Sequence, residues 1–163
     1  MVGATGAAAA TDGPCDTYRT TGNTPCVAAY SSTRALSASY AGPLYQVRRA
    51  SDGTTADVGV LAAGGYANAA AQDSFCAGTT CTIPKIYDQT TNHNDLTVAP
   101  AGDAGGANVA ADATALPVTV AGHKAYGIYM PPGVAYRISS TLAKGTARVP
   151  ARSRCTRWRV ART

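Results

Sequence analysis

At 163 residues and net charge +5 the chain has the length of one domain, yet only 23 of its residues are Leu, Ile, Val or Phe, against 34 Ala. So thin an aliphatic complement, about 14%, excludes a large conventional core; with modest net charge it describes a Gly/Ala/Thr-rich β-protein in which nine Tyr supply much of the buried area. No run approaches the roughly 20 apolar residues that cross a bilayer, so no membrane partner is expected. All nine acids are Asp, with no Glu in the sequence.

Taken in order, residues 1–12 are small and apolar but have neither a basic flank nor a sustained hydrophobic run, and are expected to be a non-family leader rather than a complete signal peptide. Residues 13–25 are rich in turn formers and predict a loop closed by Cys15 and Cys26. Residues 26–36 place Val27, Tyr30 and the stem of Arg34 at helical spacing and predict a short helix. Residues 43–49 alternate, with Tyr45 and Val47 on one face and Leu44, Gln46 and Arg48 on the other, which predicts a strand. Asp52-Gly53 turns this strand into a second over residues 57–61. Gly64-Gly65 breaks the pattern, and residues 66–75 predict a helical turn.

Cys76 and Cys81 follow, then a strand over residues 82–87 that leads into Asp88-Gln89 and the turn-forming Thr90-Thr91-Asn92-His93-Asn94-Asp95. Residues 100–115 read as a loop. Leu116, Val118 and Val120 alternate, Ala121-Gly122-His123 can turn, and residues 125–130 return as a strand that Pro131-Pro132-Gly133 ends. Many short strands with few helices predict an all-β, antiparallel β-sandwich or jelly roll, with fewer strands than two full sheets need.

Five cysteines fall as two close pairs and Cys155. Four cysteines allow three connectivities, and spacing favours the local ones. Cys15–Cys26 and Cys76–Cys81 would then stabilise by about 3 and about 2 kcal/mol through loop closure, and would place the protein in an oxidising compartment. The Cys76/Cys81 spacing lacks the second Cys or His pair of a zinc site.

Charge divides the chain. Residues 1–136 carry six basic and nine acidic groups, whereas residues 137–163 carry eight basic groups and no acid. Clustered Arg with Trp158 has the electrostatics of a nucleic-acid arm, but no nucleic-acid-binding fold motif accompanies it, so no specific nucleic-acid partner is expected. His93 and His123 lie in separate turns without companions at metal-ligand spacing and are expected to be exposed. No metal and no cofactor are expected. Asp73, Asp88 and Asp95 are the polar groups able to line a sugar groove, although Asp in such turns more often caps backbone amides. Asp88-Gln89 in particular reads as structural. Tyr45, Tyr87, Tyr126 and Tyr129 read as core.

The blocks GPCDTY, TPCVAAYSSTRAL, GPLYQVRRASDGTT, GVLAAGGYANAAAQDSFCAGTTCTI, IYDQ and PVTV-AGHKAYGIYM-PPGVAYR, in this order and spacing, resemble the N-terminal part of the catalytic domain of fungal-type α-L-arabinofuranosidases of the B type, glycoside hydrolase family 54. The resemblance runs from about Gly13 to Arg137. It implies a concanavalin-like β-sandwich, extracellular location, arabinose-containing plant polysaccharide (arabinoxylan, arabinan) as partner, and hydrolysis of terminal arabinofuranosyl groups with retention. Such chemistry uses two carboxyl groups about 5–5.5 Å apart. In the family these are a Glu and an Asp downstream of the matched blocks, so no catalytic residue is assigned in this chain.

The expected organisation is therefore leader 1–12, partial catalytic domain 13–137 and basic tail 138–163. The tail is expected to be disordered or translated out of frame, and the polypeptide to be a truncated, inactive fragment. The alternative is a non-catalytic concanavalin-like carbohydrate-binding or interaction module. Oligomeric state is not set by the sequence. Two departures from the family pattern bear on loop geometry. Thr91 and His93 stand where the family turn has Gly, which predicts strain, and Tyr30 stands where the family tends to have His.

Overall fold

The computed structural model describes residues 11–101 and 106–146. The leader before residue 11 and the arginine-rich segment 147–163, with Cys155 and Trp158, lie outside the described residues, so the expectations placed on them are not addressed by the fold.

The first element corrects the sequence reading. Residues expected to form a loop are a helix, α1 (Pro14–Gly22). Pro14 opens the first turn, where a missing N–H costs nothing, and the Gly13 N–H donates to Asp16 Oδ2 at 3.0 Å. Asn23, at φ 48°, ends it in the left-handed conformation. Gly13 is obligatory here, because a Cβ would lie 2.2 Å from the Leu36 carbonyl oxygen.

The second correction is the segment 26–36, which holds no helix. Its backbone groups are taken instead by side chains from residues 88–94, as described below, and by the backbone of Gly65, Ala67 and Gln89, so the helical ladder is not needed to satisfy them.

Strand β1 (Pro43–Arg49) forms as expected and pairs antiparallel with β2 (Thr55–Gly59) through the Asp52-Gly53 turn, where Gly53 has φ 70°. A register shift between Pro43 and Tyr45 disturbs the simple alternation, and Leu44 is as fully buried as Tyr45 and Val47. Helix α2 (Ala69–Phe75) is capped by Asn68, whose side chain accepts from Ala71 N. Disulfide Cys76–Cys81 carries the chain from α2 into β3 (Cys81–Ile86), and Cys15–Cys26 ties α1 to the following segment.

One edge of β3 pairs with β1. The other is shared by β4 (Leu96–Val98) and β5 (Ala111–Asp112), the latter a short strand within the stretch expected to be loop. The hairpin β6 (Leu116–Val120) and β7 (His123–Gly127) turns at Ala121 and Gly122, both at positive φ. Finally β8 (Tyr136–Arg137) pairs with β4. The result is a six-stranded antiparallel sheet, ordered β2-β1-β3-β4-β8 with β5 beside β3, and a separate two-stranded sheet.

The chain is thus all-β in class, with two helices among the described residues. Its core joins Leu44, Tyr45, Val47 and Val58 of the first hairpin to Cys81, Ile83 and Ile86 of β3, with Ala125, Val118 and Ile128 packed on from the β6–β7 side. Between the layers, Tyr45 Oη donates to Gln72 Oε1 at 2.6 Å and Gln72 Nε2 donates to the Ala113 carbonyl at 2.8 Å. The buried polar atoms thereby satisfy one another. Tyr126 is also buried and Tyr87 half-buried, but Tyr129, expected in the core, is 56% exposed. It lies two residues beyond the end of β7, where no strand pairs with it.

Candidate functional site

The polar centre of the structure is the turn after β3. The Asp88 carboxylate, itself buried, accepts from Ala29 N (2.9 Å), Thr90 N (3.0 Å), Thr90 Oγ1 (2.8 Å) and Asn94 N (2.9 Å). Gln89 Oε1 accepts from Leu36 N at 2.7 Å while its Nε2 donates to the Ser31 and Arg34 carbonyls. The Val27 carbonyl accepts from Asn92 Nδ2 and Asn94 Nδ2. Asp88-Gln89 and the residues after it are therefore a side-chain clamp on the extended segment 27–36. Tyr30 closes it by donating to the Asn94 carbonyl, and Asp95 Oδ1 accepts from Asp88 N. Only His93 within this turn takes a left-handed backbone, φ 53°; Thr91 does not, so the strain expected at two positions falls on one.

Asn94 also faces the other way. Its Oδ1 accepts from Lys144 N at 2.8 Å and its Nδ2 donates to the Lys144 carbonyl at 2.9 Å, a reciprocal pair that secures residues beyond Arg137.

Two further carboxylates, one on α2 and one on β2, join elements. Asp73 of α2 accepts from Lys124 Nζ and from Tyr126 Oη, each at 2.6 Å, which joins the helix to β7; its pKa is held below the ordinary value first by the Lys124 hydrogen bond and then by Tyr126. Asp57 accepts from Tyr87 Oη at 2.9 Å and from Gln46 Nε2 at 2.9 Å. Burial, followed by that bond to Asp57, pushes the Tyr87 phenol up to about 12.

Both histidines are exposed, and His123 stacks on Tyr66 with ring centroids 4.3 Å apart. Among the described residues no three His, Cys, Asp or Glu side chains converge on a common point that would hold a metal ion. No described helix is long and apolar enough to cross a membrane.

A retaining glycosidase needs a general acid with a raised pKa and a nucleophilic carboxylate facing it across open space. Here Asp16, Asp52, Asp57, Asp73, Asp88, Asp95 and Asp112 each accept hydrogen bonds from the fold itself. Where a carboxyl pKa is displaced, the displacement is downward. Asp16 is lowered chiefly by the Ala38 N–H, Asp52 falls to about 2 chiefly through the Thr54 N–H, and Asp73 follows the pattern given above. These are structural acceptors, as the sequence suggested for Asp88-Gln89.

Residues 14–152 match the family model described as "Alpha-L-arabinofuranosidase B, catalytic". The chain belongs to this family. It is 57% identical over 140 residues to the probable α-L-arabinofuranosidase B of Aspergillus fumigatus, covering 83% of this chain and 27% of that protein. It is 54% identical over 143 residues to the α-L-arabinofuranosidase B of Emericella nidulans, covering 85% and 28%. A crystal structure of an arabinofuranosidase complexed with arabinofuranosyl-α-1,2-xylobiose superposes with a TM-score of 0.78 at 54% identity, over 83% of this chain and 28% of that one. The chain thus spans little more than a quarter of the length of these α-L-arabinofuranosidase B relatives. The match reaches past Arg137, the end of the resemblance carried by the sequence blocks, and so includes Lys144 and its pairing with Asn94.

Proposed function

We propose that these residues build a disulfide-braced framework of an α-L-arabinofuranosidase catalytic domain, and that the 163-residue polypeptide does not itself hydrolyse glycosides. The observation that carries this reading is the commitment of seven Asp carboxylates to hydrogen bonds within the fold, in a chain without Glu. The relatives' names, and the arabinofuranosyl-xylobiose bound in a similar structure, support an enzyme acting on arabinofuranosyl groups of arabinoxylan or arabinan. Two disulfides support an extracellular setting. We assign the framework to residues 13–137, extended to Lys144 by its Asn94 contacts, and assign no catalytic role to the arginines beyond.

The test is assay of the purified chain on an aryl α-L-arabinofuranoside and on arabinoxylan. No turnover is expected, and release of arabinose above a heat-inactivated control sinks the proposal. Saturable arabinoxylan binding without turnover would favour a non-catalytic carbohydrate-binding module over a framework.

A further inference from the structure

The two disulfides stand in opposite surroundings. Cys76 and Cys81 are 7% and 1% exposed and belong to the apolar core with Tyr45, Val47 and Ile83. Cys15 and Cys26 are only half-buried, and both line a groove of about 200 Å³ whose walls include the exposed Arg19, Ser39 and Thr91. A thiol can therefore reach Cys15–Cys26 while the chain stays folded, but reaches Cys76–Cys81 only by opening the core.

The segments that Cys15–Cys26 joins are each anchored by other means. On the α1 side, Asp16 accepts from the N–H groups of Gly13 (3.0 Å) and Ala38 (2.6 Å) and from Ser37 Oγ (2.7 Å), and Cys15 N donates to the Leu36 carbonyl at 3.0 Å. On the Cys26 side, Asn92 and Asn94 hold the Val27 carbonyl, and Asp88 holds Ala29 N. Between these anchors residues 17–25 are exposed, and Thr17, Thr20 and Thr24 bond back to Gly13, Asp16 and Tyr18 of the same stretch.

We propose that Cys15–Cys26 is a thiol–disulfide exchange site for low-molecular-weight thiols, and that its opening unlatches residues 17–25 while the sheets stay folded. This latch does not depend on the framework reading above. Cys15 lies in the first turn of α1, where the helix dipole favours a thiolate, and the Asp16 carboxylate beside it is offset by Arg19 at 3.1 Å. The attacking thiolate therefore bonds to Cys26 Sγ. The Cys15–Cys26 bond breaks, and its electron pair leaves on Cys15 Sγ, which takes a proton from water. A second thiolate attacks the external sulfur of the mixed disulfide and releases Cys26 as a thiolate, so the two thiols are oxidised to their disulfide as the bridge is reduced. An oxidising setting runs the same steps in reverse and recloses the latch.

The test uses the 163-residue chain with Cys155→Ser, which leaves the four bridged cysteines as the only ones. It is treated with glutathione or dithiothreitol without denaturant, quenched by alkylation and mapped by peptide mass. Cys15 and Cys26 are expected to open about tenfold faster or more than Cys76 and Cys81. Equal rates, faster opening of Cys76–Cys81, or no opening of either bridge before the chain unfolds each overturn the site. With glutathione the trapped adduct is expected on Cys26, and an adduct confined to Cys15 overturns the order of attack. Trypsin reads the latch, because Arg19, with its side chain 64% exposed, is the first basic residue of the sequence. Cleavage after Arg19 is expected to speed by about tenfold on reduction, with the near-ultraviolet circular dichroism retained. Unchanged cleavage overturns the latch, and so does loss of that signal as Cys15–Cys26 opens. A Cys15→Ser/Cys26→Ser chain provides a second measurement and is expected to be cut at the fast rate with or without reductant; cutting as slow as in the bridged protein also overturns the latch.

Discussion

Asp88 joins segments that lie far apart in the sequence. Its carboxylate holds three backbone N–H groups and one hydroxyl, joining residues 29, 90 and 94. An unsatisfied buried donor costs about 1–3 kcal/mol, so Asp88→Ala is expected to destabilise by about 3 kcal/mol or more in urea denaturation, whereas Asp57→Ala, on the exposed face, costs under about 1 kcal/mol. Equal small losses would refute the clamp. Gly13 is a second such point, since an added Cβ meets the Leu36 carbonyl, a backbone atom that cannot swing away. Gly13→Ala is expected to cost about 2 kcal/mol or more despite the higher helix propensity of Ala.

Asp73 links a helix to a hairpin, and its titration gives that link a pH signature. With the carboxyl pKa lower in the folded state than the ordinary 3.8, the ion pair contributes stability above the unfolded value and loses it as pH falls through the folded one. Both partners are substantially exposed, so the loss between about pH 4 and the depressed pKa amounts to about 1 kcal/mol or less and shrinks in high salt. An Asp73→Asn variant should flatten this part of the stability profile, and an unchanged acid limb would argue that Lys124 contributes nothing. The β6–β7 turn offers the opposite sign. Ala121 occupies a left-handed position, φ 49°, that Asn tolerates better, and Ala121→Asn is expected to raise stability by about 0.5 kcal/mol in thermal unfolding.

The strands were legible because alternation and turn chemistry are local. Pro43–Arg49 matches its expected bounds, whereas the expected turn Ala121-Gly122-His123 and return strand 125–130 are displaced: His123 already pairs in β7, which ends at Gly127. Helix α1 was missed because its turn-forming residues are also helix-start residues. Gly13 followed by Pro14 and Asp16 was the available signal. The helix expected over residues 26–36 failed for a different reason, since its spacing is real but its backbone partners lie some 60 positions away in the clamp.

At the scale of the molecule, the layers are joined by a buried relay from Tyr45 through Gln72 to the Ala113 carbonyl as well as by apolar packing. Tyr45→Phe leaves Gln72 Oε1 without its donor in a fully buried position, and is expected to lower stability by about 1–2 kcal/mol with little change in secondary structure by circular dichroism. A neutral substitution would mean that packing alone holds the layers. The structural role of Asp88-Gln89 was visible in the sequence as turn chemistry, but its reach to residues 27–36 was not.

By itself, the sequence determined the class, the two short cysteine spacings, the hairpins and the family, all of which depend on residue type and near-neighbour spacing. Tertiary structure decided which backbone groups the polar turn would satisfy, why residues 26–36 stay extended, and how far the apolar side of the sheet is covered. Those outcomes depend on contacts between residues far apart in sequence, and a buried donor or a half-buried Leu96 has no signature until the chain has folded around it.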